Sequence, residues 1–138
     1  MPKLLVPVDG TEPALAAVRY AAQLAKSRDG AVIHLLNVRP PVAGAAVTFV
    51  GRRPIRLYYE EEGNAALAEA RRILEAEGVA HEHHVAVGEP AAAITGYAAE
   101  HGFDQIVMTR RTGTLARLLG STATQVLEHM RTPITFVP

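Results

Sequence analysis

Short apolar runs alternate along the chain with longer segments in which apolar residues recur every three or four positions. Such runs are typical of buried strands, and the longer period is typical of helices that cover a sheet. The predicted strands are residues 4–8, 31–38, 84–87, 105–108 and 134–137, and the predicted helices follow Thr11, span 57–77, begin at Pro90 and span 121–131. This order predicts an α/β fold, a doubly wound and mainly parallel five-stranded sheet with helices on both faces.

The first helix has a Thr11 N-cap and a buried stripe of Leu15, Val18, Ala22 and Ala25, and Gly30 ends it. Leu67, Ala70 and Leu74 point inward from the second helix, and Ile94, Tyr97 and Ala98 from the third, which Gly102 stops. Residues 39–56 are rich in proline and glycine and predict a long loop.

Composition removes several classes of function. Lysine plus arginine equals aspartate plus glutamate at 14 each, so no overall charge attracts nucleic acid or an anionic membrane. The chain contains no cysteine, which excludes disulfides and thiolate metal sites. Neither a signal peptide nor an apolar run near membrane-spanning length is recognisable. We therefore expect residues 1–138 to form one cytoplasmic domain.

Candidate ligand-binding residues follow the predicted strands. Ligands of doubly wound sheets bind outside the carboxyl ends of the strands, where Asp9, Val38 and Met108-Thr109 lie. Apolar walls at this edge suit an adenine, and the Asp9 carboxylate suits a ribose. The helix start at Gly120-Ser121, together with Arg110 or Arg111, suits phosphates. Asp9 can equally form an Asx-type turn into the first helix, and Gly120-Ser121 can be a plain helix entrance.

Histidines provide no catalytic arrangement in the sequence. His81 and His83 alternate on one strand face and are able to pinch a metal ion, but no third ligand is evident. The segment 81–84 is therefore interpreted as a solvated strand entry, with no metal site assigned. His34 and His129 have no neighbouring nucleophile and carboxylate that would form a triad.

Five segments together resemble the universal stress protein family. They are Val6-Pro7-Val8-Asp9-Gly10-Thr11-Glu12-Pro13-Ala14, Leu36-Asn37-Val38, Val87-Gly88-Glu89-Pro90-Ala91, Asp104-Gln105-Ile106-Val107-Met108 and Leu118-Leu119-Gly120-Ser121, in the family's order. The resemblance implies a Rossmann-like sheet with strand order 3-2-1-4-5 and a stress-response role. It also implies a homodimer formed through Ile134, Thr135, Phe136 and Val137.

The family's ATP-binding members carry a Gly-x2-Gly-x9-Gly-Ser/Thr pattern after the fourth strand, and this chain departs from it. Thr109 and Thr112 stand where glycines belong, and the spacing to Gly120-Ser121 is two residues short, although Gly113 can partly substitute. A threonine Cβ obstructs the close backbone approach of a phosphate, whereas the neighbouring arginines can hold an anion by side chains.

Two functions remain open from the sequence. The first is a homodimeric regulatory or ligand-sensing module with a degenerate nucleotide motif, and the second is a switch that binds ATP with Mg²⁺ and hydrolyses it slowly. The candidate nucleotide site comprises Pro7, Val8, Asp9, Val38, Met108, Thr109, Arg110, Arg111, Thr112, Gly113, Gly120, Ser121 and Thr122. No catalytic residue is assigned, and an ATP pyrophosphatase is disfavoured because residues 8–13 contain a single glycine.

Overall fold

The computed structural model describes residues 2–41, 49–50, 53–109 and 131–138. Its elements are β1 (Lys3–Pro7), α1 (Ala14–Lys26), β2 (Val32–Arg39), β3 (Phe49–Val50), β4 (Arg53–Pro54), α2 (Ile55–Glu77), β5 (His81–Val87), α3 (Pro90–His101), β6 (Gln105–Thr109) and β7 (Ile134–Val137). No helix in these ranges is long and apolar enough to cross a membrane.

Five strands form one parallel sheet in the order β5-β2-β1-β6-β7, which confirms the predicted order 3-2-1-4-5. β1 lies in the middle and pairs with β2 on one side and β6 on the other. The chain first moves outward from β1 to β2 and β5 and then returns to β6 and β7. The direction of strand addition therefore reverses beside β1, which is where doubly wound folds bind ligands.

Alternating side chains divide the core into two clusters, one on each face of the sheet. One cluster joins α1 and α2 to the sheet and contains Leu4, Val6, Leu35, Val18, Leu67 and Leu74. The other packs α3 against the opposite face and contains Leu5, Leu36, Ile94, Ala98, Ile106 and Met108. The apolar stripes predicted for α1 and α2 are buried as expected, and Tyr97 of α3 packs at the margin of its cluster.

The start of α1 differs from the prediction. Thr11 does not cap this helix, because α1 begins only at Ala14 and Thr11 lies two residues before the N-cap position; its backbone N–H and hydroxyl donate to Asp9 Oδ1 in the preceding turn. Pro13 occupies the N-cap position instead, without a side-chain cap. The end also differs: α1 stops at Lys26, and Gly30 takes its positive φ of 75° in the turn before β2. Gly102, by contrast, ends α3 in the left-handed region as predicted.

Two further predictions are corrected. The third strand of the sheet begins at His81 rather than near His84, because the polar residues 81–83 complete the ladder with β2. The segment 39–56 is not wholly irregular, since β3 and β4 pair antiparallel within it and α2 begins at Ile55. The helix predicted over 121–131 lies almost wholly outside the described residues.

Candidate functional site

A small crevice opens where β1 and β2 end. It is a cavity of about 90 Å³, and its lining consists of Val8, Asp9, Val38, Pro90 and Ile94. Val8 and Ile94 are almost fully buried, whereas Asp9 is exposed at the rim. Among the described lining residues, apolar walls combine with one carboxylate at the mouth, which suits a ligand with an apolar ring and nearby hydroxyl groups.

Asp9 is held in a fixed orientation by the turn that follows β1. Its Oδ1 accepts hydrogen bonds from the backbone N–H of Thr11 at 3.0 Å and from the Thr11 hydroxyl at 2.6 Å. This is the Asx-type turn, one of the two roles that the sequence left open for Asp9. Because both of these bonds fall on Oδ1, the geometry leaves Oδ2 as the oxygen that can serve a ligand.

The end of β1 is also tied to β2. The backbone N–H of Val8 donates to the Leu36 carbonyl, and the buried Asn37 side chain donates from Nδ2 to the Val8 carbonyl, both at 2.8 Å. Asn37 is 1% exposed, and its Oδ1 has no hydrogen-bond partner among the described residues. These two bonds fix the end of β1 to β2, and with it the crevice floor and the start of the Asp9 turn.

Of the predicted site residues, Val8, Asp9 and Val38 line the cavity. Pro7, Met108 and Thr109 are buried in the strands that support it. The Thr109 hydroxyl accepts a hydrogen bond of 3.2 Å from the backbone N–H of Ala17, which fastens the end of β6 to α1. The remaining predicted residues, Arg110, Arg111, Thr112, Gly113, Gly120, Ser121 and Thr122, lie outside the described residues.

Two lining residues, Pro90 and Ile94, come from the first turns of α3 and were not in the predicted site. Glu89 caps this helix: its carboxylate accepts from the Ala92 N–H at 2.9 Å, so the start of α3 already has a negative partner. These two residues could have been predicted from the sequence, because α3 begins directly after the carboxyl end of β5, at the same edge of the sheet as Asp9.

A second group of polar side chains lies at the other end of the strands. His34 of β2 and His84 of β5 face each other with 3.0 Å between Nδ1 and Nε2, and Glu82 lies beside them. Burial lowers the pKa of both imidazoles, although the Glu82 carboxylate opposes this; Lys3 and His101 lower it further. His81 and His83 lie on the opposite face of β5, so they do not join this group.

Comparison with known proteins gives a consistent result. The family model of the universal stress protein family matches residues 1–138. Universal stress protein MJ0531 of Methanocaldococcus jannaschii is 32% identical over 98% of this chain and 81% of its own length. Universal stress protein G of Escherichia coli O157:H7 is 30% identical over 97% of this chain and 96% of its own length.

Solved structures show the same architecture. A universal stress protein in complex with cAMP superposes with a TM-score of 0.69 at 27% identity, over 99% of this chain and 97% of that one. A universal stress protein from Archaeoglobus fulgidus reaches a TM-score of 0.71 at 25% identity, over 100% of this chain and 94% of that one. With the sheet order, the crevice and these likenesses in agreement, the chain belongs to the universal stress protein family.

Proposed function

We propose that this protein is a cytoplasmic, homodimeric ligand-sensing module of the stress response that binds an adenine nucleotide in the crevice beside β1. The observation that carries the proposal is the oriented Asp9 carboxylate at the mouth of an apolar cavity. Val8, Val38 and Ile94 offer walls for the base, and Asp9 Oδ2 accepts hydrogen bonds from ribose hydroxyls. The complex of a 27% identical relative with cAMP, also an adenine nucleotide, supports this choice of ligand.

The size of the cavity indicates which part of the nucleotide it holds. About 90 Å³ is well below the ~300 Å³ of a complete small-molecule pocket. We therefore assign the base and ribose to the crevice. The phosphates, with Mg²⁺ when the ligand is ATP, are assigned to residues 110–113 and 120–122, whose arginines and hydroxyls have the chemistry to hold them.

Asp9→Asn tests the ribose contact without removing the turn. The asparagine oxygen still accepts from Thr11, but an N–H₂ group replaces the second carboxylate oxygen and the negative charge disappears. A hydrogen bond to a charged group contributes roughly 1.5–3 kcal/mol, so we expect the dissociation constant for ATP with Mg²⁺ to rise about tenfold or more. Isothermal titration calorimetry on nucleotide-stripped protein measures the change.

Asp29→Asn is the matched control, because Asp29 is an exposed carboxylate in the turn before β2, at the opposite end of the sheet. Its affinity is expected to equal that of the unaltered protein. Equal affinities for the Asp9 and Asp29 variants would show that the nucleotide does not bind at this crevice, and no binding in any sample would reject the nucleotide proposal itself.

Phosphate release from the same samples separates sensing from a slow ATP-hydrolysing switch. A ligand-sensing module binds ATP and leaves it intact, whereas a switch releases phosphate in parallel with binding. Release that survives both Asp9→Asn and Ser121→Ala would come from a site other than the one proposed.

The proposed dimer forms through β7, the last strand of the sheet. β7 pairs with β6 on one side. Phe136 on β7 is a large apolar residue that is 38% exposed. Pairing of β7 with its symmetry mate across a twofold axis covers this side chain and supplies hydrogen bonds to the strand edge that has no neighbour among the described strands. The partner is therefore a second copy of this chain.

Phe136→Asp is expected to convert the dimer to a monomer, because the twofold places two carboxylates together in an apolar contact. Val87→Asp is the control, since Val87 is 45% exposed on β5 at the opposite edge of the sheet. Sedimentation equilibrium at micromolar concentration gives the mass of each variant. A monomeric Val87→Asp protein with a dimeric Phe136→Asp protein would move the interface to the β5 edge.

A further inference from the structure

The group formed by His34, Glu82 and His84, here called the edge triad, lies on the face of the sheet that α3 covers. His34 of β2 is the register partner of Glu82 on β5, and His84 follows two residues along the same strand. Residues at alternate positions share a face, so all three side chains project to the same side. Val38, which lines the crevice, is four residues beyond His34, roughly 13 Å along the strand. The edge triad and the crevice are therefore separate sites.

We propose that the edge triad is a binding site for a divalent transition-metal ion, with Zn²⁺ as the best match. One nitrogen of each histidine and one Glu82 oxygen lie within 4.8 Å of one another. Two imidazoles and a carboxylate, without any thiolate, form a donor set that zinc accepts, with water in the fourth position.

The spacing of the donor atoms fits a single ion. Two ligand nitrogens about 2.0–2.1 Å from one ion stand roughly 2.8–3.4 Å apart at bond angles near 90–110°. His34 Nδ1 and His84 Nε2 are 3.0 Å apart, inside this range. Glu82 Oε2 lies 3.9 Å from the other His34 nitrogen, outside this range, so the exposed glutamate side chain has to change rotamer to join the two nitrogens around one ion.

Aromatic packing sets the positions of the rings before any ion binds. The His34 ring meets the edge of Phe103 at a centroid distance of 5.0 Å, and the His84 ring leans on Tyr97 at 5.4 Å. His34 is 8% exposed, while the Glu82 side chain is 62% exposed on the edge strand. The triad therefore combines two braced ligands with an open side through which an ion and its water enter.

Binding of the ion requires a change of tautomer at one ring but no net change in protonation. In the metal-free protein the two rings are nearly parallel, with an angle of 7° between their planes, and one imidazole N–H donates to the other ring's nitrogen. When an ion binds, the donating ring gives this proton to solvent water and takes one up at its second nitrogen, so that both facing lone pairs are free. Each neutral ring keeps one proton, and only a small reorientation of the two rings within their aromatic contacts is needed to direct both lone pairs at the ion.

Lys3 carries a positive charge near the triad. Its ammonium lies 4.7 Å from the Phe103 ring centroid and donates to the His101 carbonyl at 2.6 Å, so it is held beside the triad. Removing this charge leaves all three ligands in place. Lys3→Met is therefore expected to strengthen metal binding, an effect that loss of a structural contact alone does not produce.

The test uses the full chain without an affinity tag, stripped of metal by a chelator and titrated with Zn²⁺ in a calorimeter. We expect saturable binding of one ion per chain and a rise of at least about tenfold in the dissociation constant for His84→Gln, since a lost ligand contributes 1.4 kcal/mol or more. His83→Gln, which alters the neighbouring residue on the opposite face, is expected to bind as the unaltered protein does.

Co²⁺ supplies a second reading, because its visible absorption reports the number and geometry of its ligands. The Co²⁺ spectrum of the Glu82→Gln protein is expected to change, and this exposed position carries little risk to folding. Absence of saturable Zn²⁺ binding would overturn the proposal. An equal loss in the His83 and His84 variants, or none in either, would also overturn it, because the ion would then sit on other surface histidines.

Discussion

Replacing Leu35 by alanine is expected to lower the free energy of unfolding by about 2–5 kcal/mol. Leu35 is fully buried in β2, where it stands between Val6 of β1 and His83 of β5 in the sheet register. It belongs to the cluster that α1 and α2 cover, so truncation removes apolar burial and leaves a cavity that the surrounding strands cannot close. A domain of this size has ~5–15 kcal/mol in total, so the loss is a large fraction of it.

Urea unfolding followed by circular dichroism gives the change in free energy. Leu57→Ala is the control, because it makes the same truncation at a side chain that is 38% exposed on α2. Its expected effect is within about 0.5 kcal/mol. Similar losses at the two positions would contradict the assignment of Leu35 to the centre of the core.

Gly63→Ala and Gly96→Ala are expected to change stability in opposite directions, although both place an alanine inside a helix. A Cβ at Gly63 would lie 2.5 and 2.6 Å from the two γ-carbons of Val85, whereas at Gly96 no described atom lies within 4 Å. The crowded site is expected to lose about 1–3 kcal/mol through strain. The open site is expected to gain about 0.5–1 kcal/mol from better helix propensity.

Adding Val85→Ala to the Gly63 variant removes both clashing carbons and provides the decisive comparison. We expect the double variant to lose less than the sum of the two single changes, because each relieves the other. Additive losses would mean that α2 does not approach β5 as closely as the structure shows. The same unfolding experiment measures all four proteins.

Elements with strong periodicity could be predicted from the sequence, and elements determined by pairing could not. The stripe from Leu15 to Ala25 and the buried Leu67 and Leu74 are set by helix periodicity, which is local. The segment 81–83 is polar and resembles a loop by itself, yet it forms strand because β2 offers a complete ladder. Thr11 was predicted as a helix cap, but it belongs to the turn built on Asp9, and the helix begins only at Ala14.

The candidate site divides in the same way. Val8, Asp9 and Val38 follow from the rule that ligands bind at the carboxyl ends of strands, whereas Ile94 could be identified from its period only as a core residue. The meeting of His34 with His84 depends on the register between β2 and β5, which no local pattern encodes. His81 and His83 are the pair that alternation suggests, and the sheet places them on the other face.

A titration of ¹⁵N-labelled protein with AMP, followed through amide chemical shifts, shows directly whether the crevice holds a nucleotide. AMP carries the base and ribose assigned to the crevice and only one phosphate. We predict saturable shifts concentrated at the amides of Val8, Asp9, Val38 and Ile94. Saturable shifts that spare these four amides, or unchanged spectra at millimolar AMP, would contradict the central claim that this crevice binds an adenine nucleotide.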